Sequence, residues 1–278
     1  MQIGNTKIGD NHPTFIIAEM SANHGHDLNK AKELIYAAKE SGANAIKLQT
    51  YTAETITLNH KSEDFYISKG PWKGQYMHDL YSQAYTPWEW HAELFELANK
   101  INLEIFSSPF DPSAVDFLEE LDVAAYKIAS AEVIDIPLIR KAAQTKKPLI
   151  VSTGSATLKQ IYEVLDCLKI EKLQNFALLK CTSEYPAPPE DIHLKTIAHM
   201  KEEFNCVVGL SDHTMGIGVP IASVAFGAKI IEKHFVMDRG DKTADSFFSA
   251  TPEEMKLLVE NVRIVEKAIG NVNYPSQK

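Results

Sequence analysis

The sequence predicts an α/β fold, a (β/α)8 TIM barrel preceded by a short N-terminal hairpin. Three observations support this prediction. Short apolar runs recur eight times along the 278 residues, helix-like stretches separate most of them, and each run ends in polar residues. Eight alternating strand and helix units fill roughly 250 residues in such barrels, so one domain uses almost the whole chain. Active sites of these barrels lie at the carboxyl ends of the strands, where the polar residues stand here.

The first elements follow from residue spacing. Two isoleucines flank polar residues and two glycines within residues 1–9, which predicts the hairpin at the barrel floor. Apolar residues at helical spacing from Leu28 to Ala38 predict the first helix, with Asp27 as its cap and Gly42 at its end. The eight predicted strands end at Glu19, Gln49, Ser108, Ser130, Ser152, Cys181, His213 and His234.

Two later helices share one predicted start: a threonine cap, then proline, then glutamate at the third helical position. These caps are Thr86 and Thr251. Because the last helix stops at Gly270, we expect a catalytic barrel domain over residues 1–270 and a linker over residues 271–278.

The connection after the second strand is unusually long for a compact domain. It spans residues 51–85 and carries several aromatic residues and lysines, among them Trp72 and Lys73. Connections of this length are often functional lids or partly structured insertions. The sequence leaves two interpretations open, a cover over the active face and a packed surface excursion.

The charge balance excludes whole classes of partner. A net charge of -9 and a pI of about 5.6 leave no basic excess to displace counterions from phosphates, so neither nucleic acid nor an anionic membrane is an expected partner. The longest apolar stretch, from Val219 to Ala228, is shorter than the roughly 20 residues that cross a bilayer. Three cysteines without metal-site or redox spacing indicate a reducing cytoplasm.

Two lysines interrupt apolar strands. An unpaired ammonium at Lys47 or Lys127 would be strongly disfavoured there, so an anion is the expected partner. Serines at or near other strand ends could donate hydrogen bonds to the same ligand; these are Ser108, Ser130, Ser152 and Ser211. Together, these residues predict a cradle for a phosphate or a carboxylate.

Two histidines end neighbouring strands of the predicted barrel. Ser211 shares the strand parity of His213, and Glu232 shares that of His234, so we expect all four on one side of the sheet. Paired imidazoles suit a divalent metal with open positions for water or substrate. Since no cysteine ligand accompanies them, Mn, Mg, Fe, Co and Zn all stay possible.

Three carboxyl groups complete the predicted site. Glu19 ends the first strand directly, whereas Glu132 and Asp245 follow the fourth and eighth strands. Each could orient a hydroxyl or move a proton. For Glu132 and Asp245, a solvated charge at the rim is the alternative interpretation.

Several segments of the chain resemble the sialic acid synthase family, whose members condense phosphoenolpyruvate with an amino sugar. The matching segments are IAEMSANH (17–24), KLQTY (47–51), FSSPF (106–110), YKIAS (126–130), STG (152–154), CTSEYP (181–186), GLSDHT (209–214) and EKHF (232–235). Within this family the chain is most similar to pseudaminic acid synthases. That similarity rests on SANH (21–24), the long second connection, TPWEWH (86–91) and DSFFS (245–249).

The resemblance implies a role for each candidate residue. The residues that would hold phosphoenolpyruvate are Lys47, Ser108, Lys127, Ser130, Ser152, Thr182, Ser183 and Ser211. His213 and His234 would bind Mn²⁺, or alternatively Mg²⁺ or Co²⁺, and would be catalytic together with Glu19. The residues that would contact the sugar are Glu132, Tyr185 and Asp245.

The implied activity is a transferase reaction that joins phosphoenolpyruvate to 2,4-diacetamido-2,4,6-trideoxy-L-altrose, releases phosphate and forms pseudaminic acid. Synthesis of N-acetylneuraminate or legionaminate is the alternative within the family. Outside it, Lys127 or Lys47 could be the Schiff-base nucleophile of a keto-acid aldolase, or the barrel could bind sugar phosphates without catalysis. The resemblance also implies a homodimer at full length and a C-terminal antifreeze-like domain after residues 271–278, without which we expect weak or no turnover.

Overall fold

The computed structural model describes residues 1–274 and closes eight parallel strands into one barrel. The barrel strands are β3 (Phe15–Glu19), β4 (Ala45–Thr50), β5 (Glu104–Pro109), β6 (Tyr126–Ile128), β7 (Leu149–Ser152), β8 (Phe176–Cys181), β9 (Val207–Asp212) and β10 (Ile230–His234). They pair in sequence order, and β10 pairs back onto β3 to close the barrel. The predicted (β/α)8 barrel is therefore confirmed.

Helices form the outer layer. They are α1 (Leu28–Glu40), α2 (Ala53–Ile56), α3 (Met77–Ala84), α4 (His91–Lys100), α5 (Pro112–Glu120), α6 (Ile136–Gln144), α7 (Leu158–Ile170), α8 (Lys195–Phe204), α9 (Gly218–Ser223) and α10 (Pro252–Ile269). At least one helix follows every barrel strand, and α2 and α3 lie inside the long connection after β4. Within residues 1–274, none of the helices combines the length and the apolar composition needed to span a bilayer.

A small antiparallel hairpin, β1 (Gln2–Ile3) and β2 (Thr6–Lys7), lies at the floor of the barrel. The backbone N–H of Gln2 donates to Oδ1 of Asn175 at 2.9 Å, and that of Asn5 donates to Oε1 of Glu104 at 3.2 Å. Asn175 directly precedes β8 and Glu104 opens β5, so both contacts lie at the amino ends of the strands. The predicted N-terminal hairpin is confirmed, and the active face is the opposite end.

The predicted caps of the first and last helices are correct, but a third is wrong. Asp27 accepts from the backbone of α1, and Thr251 accepts from the N–H of Glu254 in α10. Thr86 does not cap a helix; a 3₁₀ turn follows it, and α4 begins only at His91. The hydroxyl of Thr86 is buried and lies 3.1 Å from Nε2 of His24, so a tertiary contact competes successfully with the local cap.

The chain after the last helix was predicted to be a linker. Helix α10 ends at Ile269 with Gly270 as its C-cap residue, as the sequence predicted. No helix or strand is assigned over residues 271–274, and residues 275–278 of the predicted linker lie outside the described residues.

Candidate active site

Two lysines and two glutamates meet inside the mouth of the barrel. The parallel register places Glu19 of β3 directly opposite Lys47 of β4. Lys47 Nζ lies 2.7 Å from Glu19 Oε2 and 3.7 Å from Glu232 Oε1. Lys127 Nζ lies 3.4 Å from the same oxygen of Glu232. Since each of these side chains is at most 7% exposed, this ion cluster is shielded from solvent.

Burial and mutual charge set the protonation of the ion cluster. Burial raises the pKa of Glu19 to about 7, against the opposing charge of Lys47. Burial would also raise the pKa of Glu232, but Lys127 and Lys47 together lower it. Burial lowers the pKa of Lys127, whereas Glu19 and Glu232 outweigh burial at Lys47 and raise its pKa. Glu19 is consequently the member of the cluster that exchanges a proton near neutral pH.

Replacing Glu19 with glutamine is expected to stabilise the ligand-free chain at pH 8 and to change its stability little at pH 4, below the ordinary pKa of the carboxyl. The folded pKa of about 7 lies above the ordinary 4.5, so the native state binds this proton more tightly than the unfolded chain does. Wild-type stability should therefore fall as the pH rises from 4.5 to about 7. The size of this pKa shift limits the increase in the free energy of unfolding at pH 8 to about 3 kcal/mol.

Urea unfolding of wild type and Glu19→Gln at the two pH values measures this gain. Glutamine imitates the protonated carboxyl, so the two proteins should coincide where Glu19 is neutral in both the folded and the unfolded chain. A gain of equal size at pH 4 and pH 8 would contradict the raised pKa of Glu19.

Polar neighbours fix the orientation of the ion cluster. Gln49 Nε2 donates to Glu19 Oε1 at 2.8 Å, Lys47 Nζ donates to Ser108 Oγ at 3.1 Å, and Ser211 Oγ donates to Glu232 Oε1 at 3.2 Å. Gln49 and Glu232 were not among the predicted site residues. Residues two apart on a strand point to the same face, so the position of Gln49 two residues after Lys47 could have predicted that both face the site.

The two histidines lie side by side next to the ion cluster, with ring centroids 5.4 Å apart. His213 Nδ1 lies 2.8 Å from the carbonyl oxygen of Thr182, which can only accept, so Nδ1 carries the proton and Nε2 keeps its lone pair. His234 Nδ1 is buried, has no hydrogen-bond partner among residues 1–274, and lies 3.8 Å from Asp245 Oδ2. Burial lowers the pKa of His234 well below its ordinary value, so its imidazole is neutral. Both rings thus fit the role of metal ligands.

The charges around the histidines also fit a bound cation. Burial raises the pKa of Glu132 and of Asp245, as it does that of Glu19, and a cation bound beside them would favour their ionised forms. Burial would lower the pKa of His213, but the Cys181 thiol, 4.0 Å from His213 Nδ1, and the Thr182 carbonyl raise it.

The donor set for such a metal is small. Within the described chain, residues 1–274, no cluster of three or more His, Cys, Asp and Glu side chains is arranged to hold a metal ion. The protein would therefore offer two imidazoles, His213 and His234, and leave the remaining coordination positions to water or substrate. A site with open positions is the type that takes part in catalysis rather than in structural support.

A cavity of about 600 Å³ opens over these groups. Its polar lining includes Gln49, Ser130, Glu132, Ser183, Tyr185, His234 and Asp245. The long connection contributes Tyr51, Ile56, Ile67, Trp72, Met77, Leu80, Tyr81 and Ala84 to the same lining. Of the two interpretations of residues 51–85, the structure therefore supports a cover over the active face. Trp72 is anchored there, since its Nε1 donates to the carbonyl oxygen of Ala244 at 2.8 Å.

Aromatic and carboxyl side chains complete the wall beside the histidines. The Tyr185 ring lies against His213 with centroids 4.3 Å apart, and Trp72 lies behind Tyr185 at 5.7 Å. The carboxylate of Asp245 accepts a hydrogen bond from the hydroxyl of Ser21. Tyr185 and Asp245 were predicted for the sugar, and the structure brings both to the cavity together with Glu132.

The remaining predicted serines cluster around Gly154. Ser130 Oγ accepts from the Gly154 N–H at 3.1 Å, and Ser183 Oγ lies 3.2 Å from Ser155 Oγ. A Cβ at Gly154 would lie 2.7 Å from Ser183 Oγ and 2.8 Å from Ser130 Oγ, so only glycine lets these hydroxyls come together. The buried hydroxyl of Ser152 has no partner in the part of the chain that the structure describes.

The structure does not bring the Thr182 hydroxyl into the cavity. Thr182 Oγ1 donates to the carbonyl oxygen of Asp191 at 3.2 Å and accepts from Lys180 Nζ at the same distance. Thr182 contributes its carbonyl instead, as the acceptor for His213 Nδ1. Side-chain direction after the end of a strand depends on loop geometry, which residue type alone does not indicate.

Known proteins resemble this chain over most of its length. Residues 34–274 match the NeuB family. The chain is 47% identical to the pseudaminic acid synthase of Campylobacter jejuni over 98% of this chain and 78% of that protein. It is 40% identical to the N,N'-diacetyllegionaminic acid synthase of Legionella pneumophila over 95% of this chain and 75% of that protein. The crystal structure of the N-acetylneuraminic acid synthetase from Leptospira borgpetersenii superposes with a TM-score of 0.89, at 35% identity, over 100% of this chain and 92% of that one.

Proposed function

The chain belongs to the NeuB family, and from that premise we propose that it catalyses the reaction of a pseudaminic acid synthase. Phosphoenolpyruvate condenses with 2,4-diacetamido-2,4,6-trideoxy-L-altrose, phosphate leaves, and the nine-carbon 2-keto acid remains. The greater identity to a pseudaminic acid synthase than to a legionaminic acid synthase, 47% against 40%, supports this sugar over its isomers.

The observation that carries the proposal is the pair of buried ammonium groups beside two imidazoles in one barrel mouth. Lys47 and Lys127 share one carboxylate oxygen of Glu232 in the ligand-free chain. A ligand that carries both a phosphate and a carboxylate gives Lys127 an anion of its own and adds a second anion to Lys47, which lies 2.7 Å from Glu19 Oε2. Phosphoenolpyruvate carries these two groups on one carbon atom, C2, which matches two lysines that meet at one oxygen.

The serine hydroxyls serve the same ligand. Ser152, whose buried hydroxyl lacks a partner within residues 1–274, and Ser130 beside Gly154 are placed to donate to the phosphate oxygens. Such donors stand ready before the ligand arrives, so they stabilise developing charge without reorganising. Thr182 acts through its carbonyl in this scheme, and Ser108 orients Lys47.

Bond formation requires that the C3 atom of phosphoenolpyruvate meets the aldehyde carbon of the open-chain sugar. The carboxyl groups of Glu132 and Asp245, with Tyr185, position the sugar in the cavity. The aldehyde oxygen takes up a proton and becomes a hydroxyl. Water then adds to C2 of the resulting cation, and as the bond from C2 to the phosphate oxygen breaks, the new C2 hydroxyl loses its proton and phosphate departs. Glu19, with a pKa raised to about 7 by burial, takes the proton of that water.

We further propose that His213 and His234 hold a divalent ion, Mn²⁺ in the first instance. Such an ion, when bound, supplies Lewis-acid polarisation of the aldehyde oxygen. The unpartnered Nδ1 of His234 within the described chain, the free Nε2 of His213 and the surplus of buried carboxyl groups support this assignment.

Product mass tests the proposed function. The chain is incubated with phosphoenolpyruvate and Mn²⁺ in separate reactions with 2,4-diacetamido-2,4,6-trideoxy-L-altrose, the corresponding legionaminic acid precursor and N-acetylmannosamine. Separate reactions are needed because pseudaminic and legionaminic acids have the same mass. We expect product and free phosphate with the first sugar, even at a low rate of turnover, and none after chelation. Product with another sugar alone would reassign the substrate, and turnover that resists chelation would contradict the metal.

A further inference from the structure

We infer that an ion pair between Asp212 and Lys233, on the outer face of the barrel wall, sets the relative position of His213 and His234. This inference rests on the metal site of the proposed function. It assigns Asp212 and Lys233 as positioning residues, which act through the two histidines and contact no substrate.

The ion pair joins the two strands immediately before their histidines. Lys233 Nζ lies 2.6 Å from Asp212 Oδ2, and both side chains are at most 2% exposed. Asp212 and Lys233 are direct partners in the parallel register of β9 and β10, and theirs is the last pair of that ladder. Within residues 1–274, the ladder between β9 and β10 pairs no residue beyond this point, so contacts of the two side chains connect the strand ends there.

A third residue extends the ion pair around His213. Lys233 Nζ also donates to the carbonyl oxygen of Thr214 at 2.8 Å. The backbone N–H and the hydroxyl of Thr214 donate to Asp212 Oδ1 at 3.2 Å and 2.9 Å. The residues on both sides of His213 are thus fixed to the residue that precedes His234.

Strand alternation separates this network from the cavity. Asp212 and Lys233 point to the face opposite Ser211 and Glu232, whose side chains meet at 3.2 Å within the site. A buried ion pair gives weak net stability compared with apolar residues of the same volume, whereas its hydrogen bonds are directional. Groups behind metal-binding histidines commonly fix the orientation of the rings. We therefore assign to this ion pair the role of fixing the orientation of the two histidine rings.

The decisive variant removes both charges. Either single substitution would leave the other charge buried and unpaired, which destabilises the fold by itself. The double variant Asp212→Leu/Lys233→Met leaves no unpaired charge; because buried Thr214 loses its hydrogen-bond partners, we expect a lower unfolding midpoint and a chain that is still folded at the temperature of the assay. Its Kd for Mn²⁺ alone, measured by electron paramagnetic resonance of the free ion, should rise about 10-fold or more.

A control separates positioning from general stability. Arg263 donates to the carbonyl oxygen of Thr14 and pairs with Glu266 at the floor of the barrel. Arg263→Met should lower the unfolding midpoint and leave the Kd for Mn²⁺ unchanged. A double variant that is folded and binds Mn²⁺ with the wild-type Kd would overturn the inference.

Two further outcomes are also decisive. If the double variant unfolds, Thr214→Val takes its place, because it removes the hydroxyl bond to Asp212 and keeps the side-chain shape. We expect a rise of several-fold in its Kd for Mn²⁺, and an unchanged Kd would overturn the inference. A wild-type chain that binds no Mn²⁺ would overturn the metal site and this inference together, while product formation by the wild type would still test the reaction.

Discussion

Replacing His213 with alanine is expected to slow phosphate release from phosphoenolpyruvate by about 10³-fold or more while the barrel stays folded. The substitution removes one of two imidazoles that fit a metal, so the polarisation of the aldehyde, several kcal/mol of transition-state stabilisation, is lost. His213 lies after the end of β9 and not within its hydrogen-bonded ladder, so the fold does not depend on its ring. Phosphate release with Mn²⁺ and the sugar present measures the effect, and circular dichroism checks the fold.

His199→Ala is the matched control for this substitution. His199 lies exposed on α8, far in sequence from the cavity-lining residues, and its loss should leave the rate of phosphate release unchanged. Metal-dependent turnover by His213→Ala at the wild-type rate would contradict the ligand assignment.

Replacing Lys127 with methionine is expected to lower kcat/KM for phosphoenolpyruvate by about 10²- to 10³-fold, the usual loss when one preorganised charge or donor is removed. The ammonium of Lys127 is buried and faces Glu232, so no solvent cation can take its place. The variant also leaves Lys47, at 3.7 Å, as the only lysine beside that carboxylate among residues 1–274. Initial rates over a range of phosphoenolpyruvate concentrations measure the effect.

Lys180→Met provides the control for a lysine near the same edge. Lys180 Nζ donates to backbone and hydroxyl oxygens and takes no part in the ion cluster, so its kcat/KM should match wild type. A second measurement separates ion pairing from imine chemistry. Borohydride reduction in the presence of pyruvate should leave the mass of the wild-type chain unchanged, and an adduct on Lys127 or Lys47 would show a Schiff-base aldolase instead.

Much of the fold could be predicted because local and global signals agree. Apolar runs bounded by polar residues mark the strands, and caps such as Asp27 and Thr251 lie where their side chains satisfy free backbone groups of a helix. Thr86 shows where this reasoning fails. Its sequence context is that of a cap, but the buried His24 takes its hydroxyl, and only the packed structure shows that competition.

The site was predictable to the extent that it depends on strand ends. Residues that point into the barrel from strand ends, such as Lys47 and Lys127, lie together because parallel strands bring their carboxyl ends to one edge. Glu232 was recognisable from alternation, but its pairing with both lysines depends on distances across the barrel. The Thr182 hydroxyl and the contacts of Trp72 depend on loop conformation, for which the sequence offers no periodic signal.

The barrel strands and residues 51–85 contribute different parts of the cavity. The ion cluster lies on the barrel strands, whereas the long connection after β4 supplies much of the apolar lining of the cavity. Mutations confined to this connection reshape the volume offered to a sugar and leave the ion cluster in place. The cavity can thus be reshaped by changes in one segment of the chain, independently of the strands that carry the charges.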